Sequence, residues 1–447
     1  MRALAVFLLF VGLQGSAAHG QAATTAFVNV TVLPMDGDRV FPGQTVLVQS
    51  DRISAVGPAS RVPIPDGATR IDARGKFLMP GLVDLHVHQL GPRAIQLALL
   101  KMYVVNGVTT ILNLRGMPEH LVYRREIADR RVLGPTLYTA GPYVNEPFVV
   151  TADSVEREVV AQKRAGYDFI KLHGDLSRDA YARLNSVARR EAIRVIGHAP
   201  RNLGIDALFA ERQYALVHAE EFLYDTLNRS RDMDLPLFEP RIPGLTRRMA
   251  DAGMWLMPNL TAYKNIGLMA ANLDRVLARP EMRYLPQAVR EIWGPTTNPY
   301  TRRFGPDKAP GIFERLALLQ KLTRQFDSAG VKLLLGTDGF NTGTVPGWSV
   351  HDELDELVAA GLSPCHALRA ATANANAFLG TTPCIGLVRT GCVADLLLLD
   401  ANPLQDVRNA RRATGVMLRG RWLSREALDR MLVSLADGTA GREGGRQ

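Results

Sequence analysis

From residue 81 onward the chain alternates short apolar runs with helical stretches that carry one polar face. The runs are Leu82–His88, Val108–Leu114, Thr136–Gly141, Phe169–His173, Val195–His198, Ala215–His218, Trp255–Leu260 and Lys332–Asp338. Nearly continuous apolar runs of this length, bounded by turn residues, read as strands covered on both faces, the habit of parallel sheets. Between them, segments such as SVEREVVAQKRAG and DAYARLNSVARREA space their apolar residues at helical intervals. Strand and helix in strict alternation predict an α/β fold, a closed (β/α)8 TIM barrel over residues 81–377.

Both ends of the chain follow a different period. FVNVTVLPMDG, QTVLVQSDRISAVGP and ATRIDARGKFLMPG alternate apolar and polar positions between Gly and Asp turns, which predicts short strands over residues 24–80. The same character returns in IGLVRTGCVADLLLLDANP and at Gly415 to Leu423. Residues 24–80 and 378–433 are therefore expected to build one small β-sandwich domain, interrupted by the barrel and ending on a closing helix. SVHDELDELVAAGLSPCHALRAATANANAFLG reads as a helical pair that closes the barrel. The last two barrel strands are far apart, and the intervening insertion, 262–331, holds several prolines and aromatics. It reads as a lid or substrate-recognition segment, with a purely structural insertion as the alternative. The Gly- and Arg-rich tail, 434–447, reads as disordered.

Residues 1–23 have the form of a secretory signal peptide: Arg2, an apolar run from Ala3 to Leu13, then the small-residue contexts Ser16-Ala17-Ala18 and Gly20-Gln21-Ala22. The run is too short for a mature membrane span. The expectation is an exported protein, periplasmic or secreted, with no stable membrane anchor after cleavage.

Composition adds constraints. With 447 residues, 47% of them hydrophobic, the chain has ample material for a core. Its net charge of +9 comes from scattered arginines rather than a basic run, which argues against a nucleic-acid surface. Of three cysteines, Cys384 and Cys392 flank Gly386 and Gly391 in an expected hairpin, where a bridge is geometrically allowed but not required. Cys365 would then be odd and buried. None has zinc-finger spacing.

The chemistry gathers at the strand ends. His86 and His88, in LMPGLVDLHVH, share one face of the first barrel strand because strand side chains alternate. By themselves they are either metal ligands or hydrogen-bonded core histidines. The other strands decide between these: Lys171 on the fourth, His198 ending the fifth, His218 ending the sixth and Asp338 ending the eighth. Active sites of such barrels lie at the C-terminal ends of the strands. One such residue is more often a turn former or a satisfied polar group, but the whole set at matching positions is hard to explain without metal.

These residues resemble the amidohydrolase superfamily, in its binuclear branch with a lysine on the fourth strand. The motifs are MPGLVDLHVH, the strand-four lysine, the two single histidines, TDG, ALRAATANANAFLG and GLVRTGCVADLLLLDANP. Within the superfamily the chain is most similar to the imidazolonepropionase-like and prolidase-like group, which includes metal-dependent dipeptidases and ochratoxin-hydrolysing amidases. Cys392 departs from the pattern, standing where the group often has a lysine in a Pro-Gly-Lys turn. The resemblance implies two divalent metal ions, most suitably Zn2+ for nitrogen and oxygen ligands. His86, His88 and Asp338 would hold one and His198 and His218 the other, with Lys171 as a bridging carbamate formed from carbon dioxide. An uncarboxylated Lys171 paired with Asp338 beside a single metal is the alternative.

A hydroxide bridging the two metals would attack an amide or peptide bond of a dipeptide, Xaa-Pro or N-acyl amino acid, with Asp338 as the catalytic proton carrier. For the small-molecule substrate, His173 shares the inward face of Lys171, and Arg115 could clamp a carboxylate bidentately. Tyr143 and Tyr263 follow strands three and seven at the mouth. Each of these four has packing or solvation as its alternative role. Asp84 is expected to support His86, and one of Glu220 and Glu221 to support the site while the other is solvated. His120, His351 and His366 read as peripheral. Competing functions are a lactonase or phosphotriesterase on the same barrel, a mononuclear deaminase (against which Lys171 argues) and, remotely, a non-catalytic binding protein. A homo-oligomer is compatible with the chain.

Overall fold

Hydrogen bonding sorts the strands into a β-domain made from both chain ends and a ring made from the middle. The computed structural model describes residues 24–227, 235–341 and 343–439. The expected signal peptide and residues 440–447 of the expected tail lie outside the described residues. The N-terminal part supplies β1 (Thr24–Val32), β2 (Phe41–Gln49), β3 (Arg52–Pro58), β4 (Thr69–Asp72) and β5 (Phe77–Pro80). The ring consists of β6 (Leu82–Val87), β7 (Val108–Asn113), β8 (Thr136–Thr139), β9 (Phe169–Leu172), β10 (Arg194–Gly197), β11 (Ala215–Val217), β12 (Trp255–Met257) and β13 (Lys332–Leu333). The C-terminal part adds β14 (Leu396–Leu399), β15 (Ala413–Leu418) and β16 (Arg421–Ser424).

In the β-domain the order is β16-β15-β14-β5-β1-β2-β3, with β4 beside β1. β5 and β14 pair antiparallel, from Leu396 opposite Pro80 to Leu399 opposite Phe77, and so weld the two ends of the chain together. One continuous sheet makes the layers. It bends until Arg52 of β3 pairs with Val393, just ahead of β14. Phe27, Val46, Ile53, Leu78, Leu396 and Met417 fill the space this leaves. Cys384 and Cys392 are disulfide-bonded, joined by turns rather than the expected hairpin strands. Cys365 is free and half-buried rather than buried.

The eight middle strands run parallel in two sets, β6-β7-β8 and β9 through β13. Ala140 pairs with Phe169 at one seam and Val87 with Gly339 at the other, so the ring closes. Its N-terminal end is plugged by the helix Ala373–Leu379, whose Phe378 lies against Phe169, Tyr214 and Trp255. All six residues of β6 are buried, as expected of a strand covered on both faces.

Several boundaries differ from those the sequence predicts. The seventh strand stops at Met257, and Leu260 opens a helix that runs to Leu277. The eighth is regular only at Lys332–Leu333. Beyond it Leu334 donates to Leu256, but Leu335 donates to Ala370 outside the ring, which breaks the ladder. The closing helical pair is three helices, Trp348–Ala359, Pro364–Ala370 and Ala373–Leu379, because Thr372 leaves the helical region. Residues 262–331 are mostly helical, with Gln287–Ile292, Pro299–Arg303 and Ala309–Ser328 following the first helix. The last helix, Arg425–Ala436, continues into the segment expected as tail. No helix among the described residues is long and apolar enough to cross a membrane.

Candidate metal centre

Every predicted ligand stands on or just beyond a ring strand, and two glycines make room for the set. A Cβ on Gly336 would lie 2.8 Å from the Cβ of His86. Gly197, immediately before His198, has φ +140°, and a Cβ there would strike the carbonyl oxygen of Leu172 at 2.0 Å. Asp338, His218 and Asn259 adopt left-handed backbone, with φ 58°, 69° and 55°. Non-glycine residues accept that cost where a site requires a particular side-chain direction.

The centre of the arrangement is Asp338. Its Oδ1 lies 2.8 Å from His88 Nε2 and 3.3 Å from His86 Nε2. One ligand atom from each of these three residues falls within 4.8 Å of the others, a spacing that suits a single ion. The imidazoles of His86 and His218 approach to 4.9 Å between ring centres, and those of His198 and His218 to 4.8 Å. Lys171 is fully buried, and its Nζ has no hydrogen-bond partner. His88 Nδ1 and His218 Nδ1 are buried without hydrogen-bond partners as well. So many orphaned polar atoms in one place would be costly unless a bound group satisfied them.

The electrostatics agree. Burial, with Lys171 close by, holds His86 and His198 well below the ordinary histidine range, and burial with His198 close by does the same for His218. Neutral imidazoles are the form that ligates metal. Burial also pushes the Lys171 amine down to about 7, against the pull of Asp338 and Glu221. For Asp338, burial opposes ionisation, but His86 foremost, together with the hydrogen bond from His88, holds the carboxyl well below the usual range.

Supporting residues fix the rings. His198 Nδ1 donates to Glu221 Oε1 at 2.9 Å, which leaves Nε2 free, and Arg201 donates to the same oxygen at 2.8 Å. Glu221 thus serves His198 rather than its neighbour His218. One of the two glutamates was expected to be solvated, but Glu220 is also largely covered, 3.6 Å from His218 Nδ1. Asp84 supports His86 through the backbone. It accepts from the His86 and Thr337 amides and from the Thr337 hydroxyl, while the His86 ring faces Asn259 Oδ1 at 3.4 Å. Asn259 also accepts from the His218 amide and donates to the Gly336 carbonyl, and so ties three strand ends together. On Asp338, Oδ2 accepts from Asn341 at 2.9 Å. Asn259 and Asn341 carry no periodic signal in the sequence. Of the peripheral histidines, His120 is buried and bonds the Gln89 carbonyl and Asn113. His351 bonds the Asn106 carbonyl, and His366 bonds Asp327.

The substrate candidates divide. Arg115, Tyr143 and His173 form a column leading to the centre. The guanidinium sits 5.5 Å over the Tyr143 ring, Tyr143 stacks on His173 at 4.3 Å, and His173 meets His198 edge-on at 4.9 Å. Tyr263 is not part of it. It is buried on the helix Leu260–Leu277, and its hydroxyl bonds Arg315.

Comparisons with known proteins agree with this fold. Imidazolonepropionase of Rubrobacter xylanophilus is 27% identical over 395 residues, covering 80% of this chain and 84% of that protein. Among solved structures, bottromycin amidohydrolase superimposes with a TM-score of 0.74 at 24% identity, covering 94% of this chain and 91% of that one. A Xaa-Pro dipeptidase with methionine bound in its active site gives 0.67 at 17% identity, over 90% of this chain and 100% of that one. The pattern of the amidohydrolase family matches residues 77–423, from β5 through the barrel into β16. The chain belongs to the amidohydrolase family and is a metal-dependent hydrolase of carbon–nitrogen bonds.

Proposed function

We propose that this chain is an exported, binuclear amidohydrolase that cleaves the amide bond of a dipeptide, a Xaa-Pro dipeptide or an N-acyl amino acid. The observation that carries the reading is Lys171: a fully buried amine, without a hydrogen-bond partner, among four imidazoles and a carboxylate. As an ammonium it would repel any cation held by His86, His88 and Asp338. With its amine pushed down to about 7, a large share is neutral and nucleophilic near neutral pH. Carbon dioxide, added at that nitrogen with loss of a proton, would supply a carbamate anion in place of the repelling ammonium, while His86, His88 and Asp338 would hold one metal and His198 and His218 the other. The donor set of imidazole nitrogens and carboxylate-type oxygens suits Zn2+.

Divalent metal, when bound, polarises a carbonyl and brings water ionisation near neutral pH. The protein's own contribution is placement and proton transfer. Asp338 accepts the proton of the attacking water and delivers it to the departing nitrogen. Its carboxyl is held ionised, as a base requires. Arg115, exposed at the head of the Tyr143–His173 column, is free to meet a substrate carboxylate in a two-pronged contact. His173 would hydrogen-bond the scissile carbonyl. Export is supported by the composition of residues 1–23 and by the Cys384–Cys392 disulfide, a bond favoured in oxidising compartments.

The test is a kinetic screen of metal-loaded protein on Xaa-Pro dipeptides, other dipeptides and N-acyl amino acids, with native metal analysis alongside. Turnover with two metals per chain is the expected result. Silence on the whole panel would remove this substrate class, and one metal per chain would remove the binuclear centre.

A further inference from the structure

The inserted segment reaches Asp338 through two hydrogen bonds. Asn341 Nδ2 donates to Asp338 Oδ2 at 2.9 Å and to the Tyr300 hydroxyl at 2.9 Å. Tyr300 lies on the helix Pro299–Arg303, inside the 262–331 segment. That helix is itself anchored. The fully buried Asn298 accepts from the Tyr300 amide at 2.9 Å and donates to the Trp293 carbonyl. At the other end, the turn carrying Asn341 is closed by Thr344, whose hydroxyl bonds the Asp338 carbonyl at 2.9 Å and whose amide bonds the Asn341 carbonyl at 2.9 Å.

The chemistry of a carboxylate explains why this matters. Asp338 Oδ1 faces His88 and His86. With only that oxygen held, the carboxyl plane could still turn about its last torsion. A contact on the second oxygen stops the turn and keeps one oxygen aimed at the reacting centre, where small misplacements are expensive in rate. An amide nitrogen has two hydrogens. Here Asp338 takes one and Tyr300 the other, so the tyrosine sets the plane in which the asparagine holds the carboxylate.

We propose that Tyr300 and Asn341 act together as positioning residues for Asp338, so that the inserted segment sets the orientation of the catalytic carboxylate. The inference rests on the role given to Asp338 above. Its test uses the full mature protein loaded with Co2+, in four variants: Tyr300→Phe, Asn341→Ala, the two combined, and Tyr284→Phe as a control. Tyr284 belongs to the same segment but stacks on Trp348.

The visible Co2+ spectrum should shift in Asn341→Ala, shift less in Tyr300→Phe, and stay unchanged in the control. On a hydrolysed substrate, kcat should fall about 10- to 100-fold in Asn341→Ala and several-fold in Tyr300→Phe, with KM within about two-fold. The double variant should be no worse than Asn341→Ala, as expected of one chain of contacts. The proposal is overturned if Tyr300→Phe matches the control in both spectrum and kcat, or if the two effects multiply. If the unsubstituted protein hydrolyses nothing on the panel, the substrate reading fails by itself, and the Co2+ spectra still decide the fate of this pair.

Discussion

Lys171 shows what a residue type means once its surroundings are known. Long cationic side chains are among the least buried in proteins. This one is fully buried, with no hydrogen bond to repay its desolvation. If its role is to become an anionic bridge, Lys171→Ala should lower activity by about a thousand-fold and release part of the metal. A short carboxylic acid such as acetate or propionate should then restore part of the activity by supplying the missing oxygens. Metal analysis and rates with and without the added acid check this, and a variant that retains both full metal and full activity would remove the bridge. That the candidate ligands would gather at one end of the ring was legible in the sequence, because strand alternation and strand ends fix where such side chains point. Asn259, Asn341 and Tyr300 were not, and Glu221 was expected only as one of two glutamates, either of which could support the site. Their partners lie on other elements, and no local period records which strand ends meet.

At the scale of elements, the seventh strand is the instructive case. Its apolar run continues through Leu260, which predicts one strand, yet the chain turns at Asn259 and enters a helix. The turn depends on a distant residue. Glu353, buried on the helix Trp348–Ala359, accepts the Leu260 amide at 3.0 Å and the Thr261 amide at 2.7 Å. These are the first amides of the helix Leu260–Leu277, which have no partner within it. A run of apolar residues cannot reveal a cap supplied from so far along the chain, whereas the barrel's strand–helix alternation is local and was therefore readable. Glu353→Ala should lower stability by about 2–4 kcal/mol, the effect of orphaning two buried donors. Glu353→Gln, which keeps one acceptor, should lose roughly half as much. Denaturant midpoints report the loss. Because Asn259 sits at the start of the same helix and ties His86 to His218, Glu353→Ala should also weaken metal retention, and unchanged stability would show that the cap carries nothing.

Across the whole molecule, the chain ends were readable as one domain because both share a two-residue period, but the seam between that domain and the barrel was not. Asp395 and Arg419 form the seam. The Asp395 carbonyl accepts the Gly81 amide at 2.9 Å, at the entry to β6, and its Oδ1 accepts the Arg419 amide at 2.7 Å. Arg419 reaches across to the Thr136 hydroxyl at 3.0 Å and the Gly134 carbonyl at 3.2 Å, beside β8. Asp395 Oδ2 is buried with no hydrogen bond, and burial pushes the carboxyl up to about 6, against the pull of Arg419. The folded state therefore keeps a proton that the unfolded chain releases near pH 4. Stability from this group is full below about pH 4 and is lost as the pH rises to about 6, the direction in which the folded state binds more protons. A difference of this size corresponds to roughly 2–3 kcal/mol. Asp395→Asn should keep the Arg419 amide bond and carry no proton to lose, so the variant should gain stability over the unsubstituted protein between pH 4 and pH 6 and hold that gain above it. Urea unfolding of both proteins at a series of pH values measures the difference directly. A difference that does not change with pH would mean that Asp395 is ionised throughout and that Arg419 alone governs its charge.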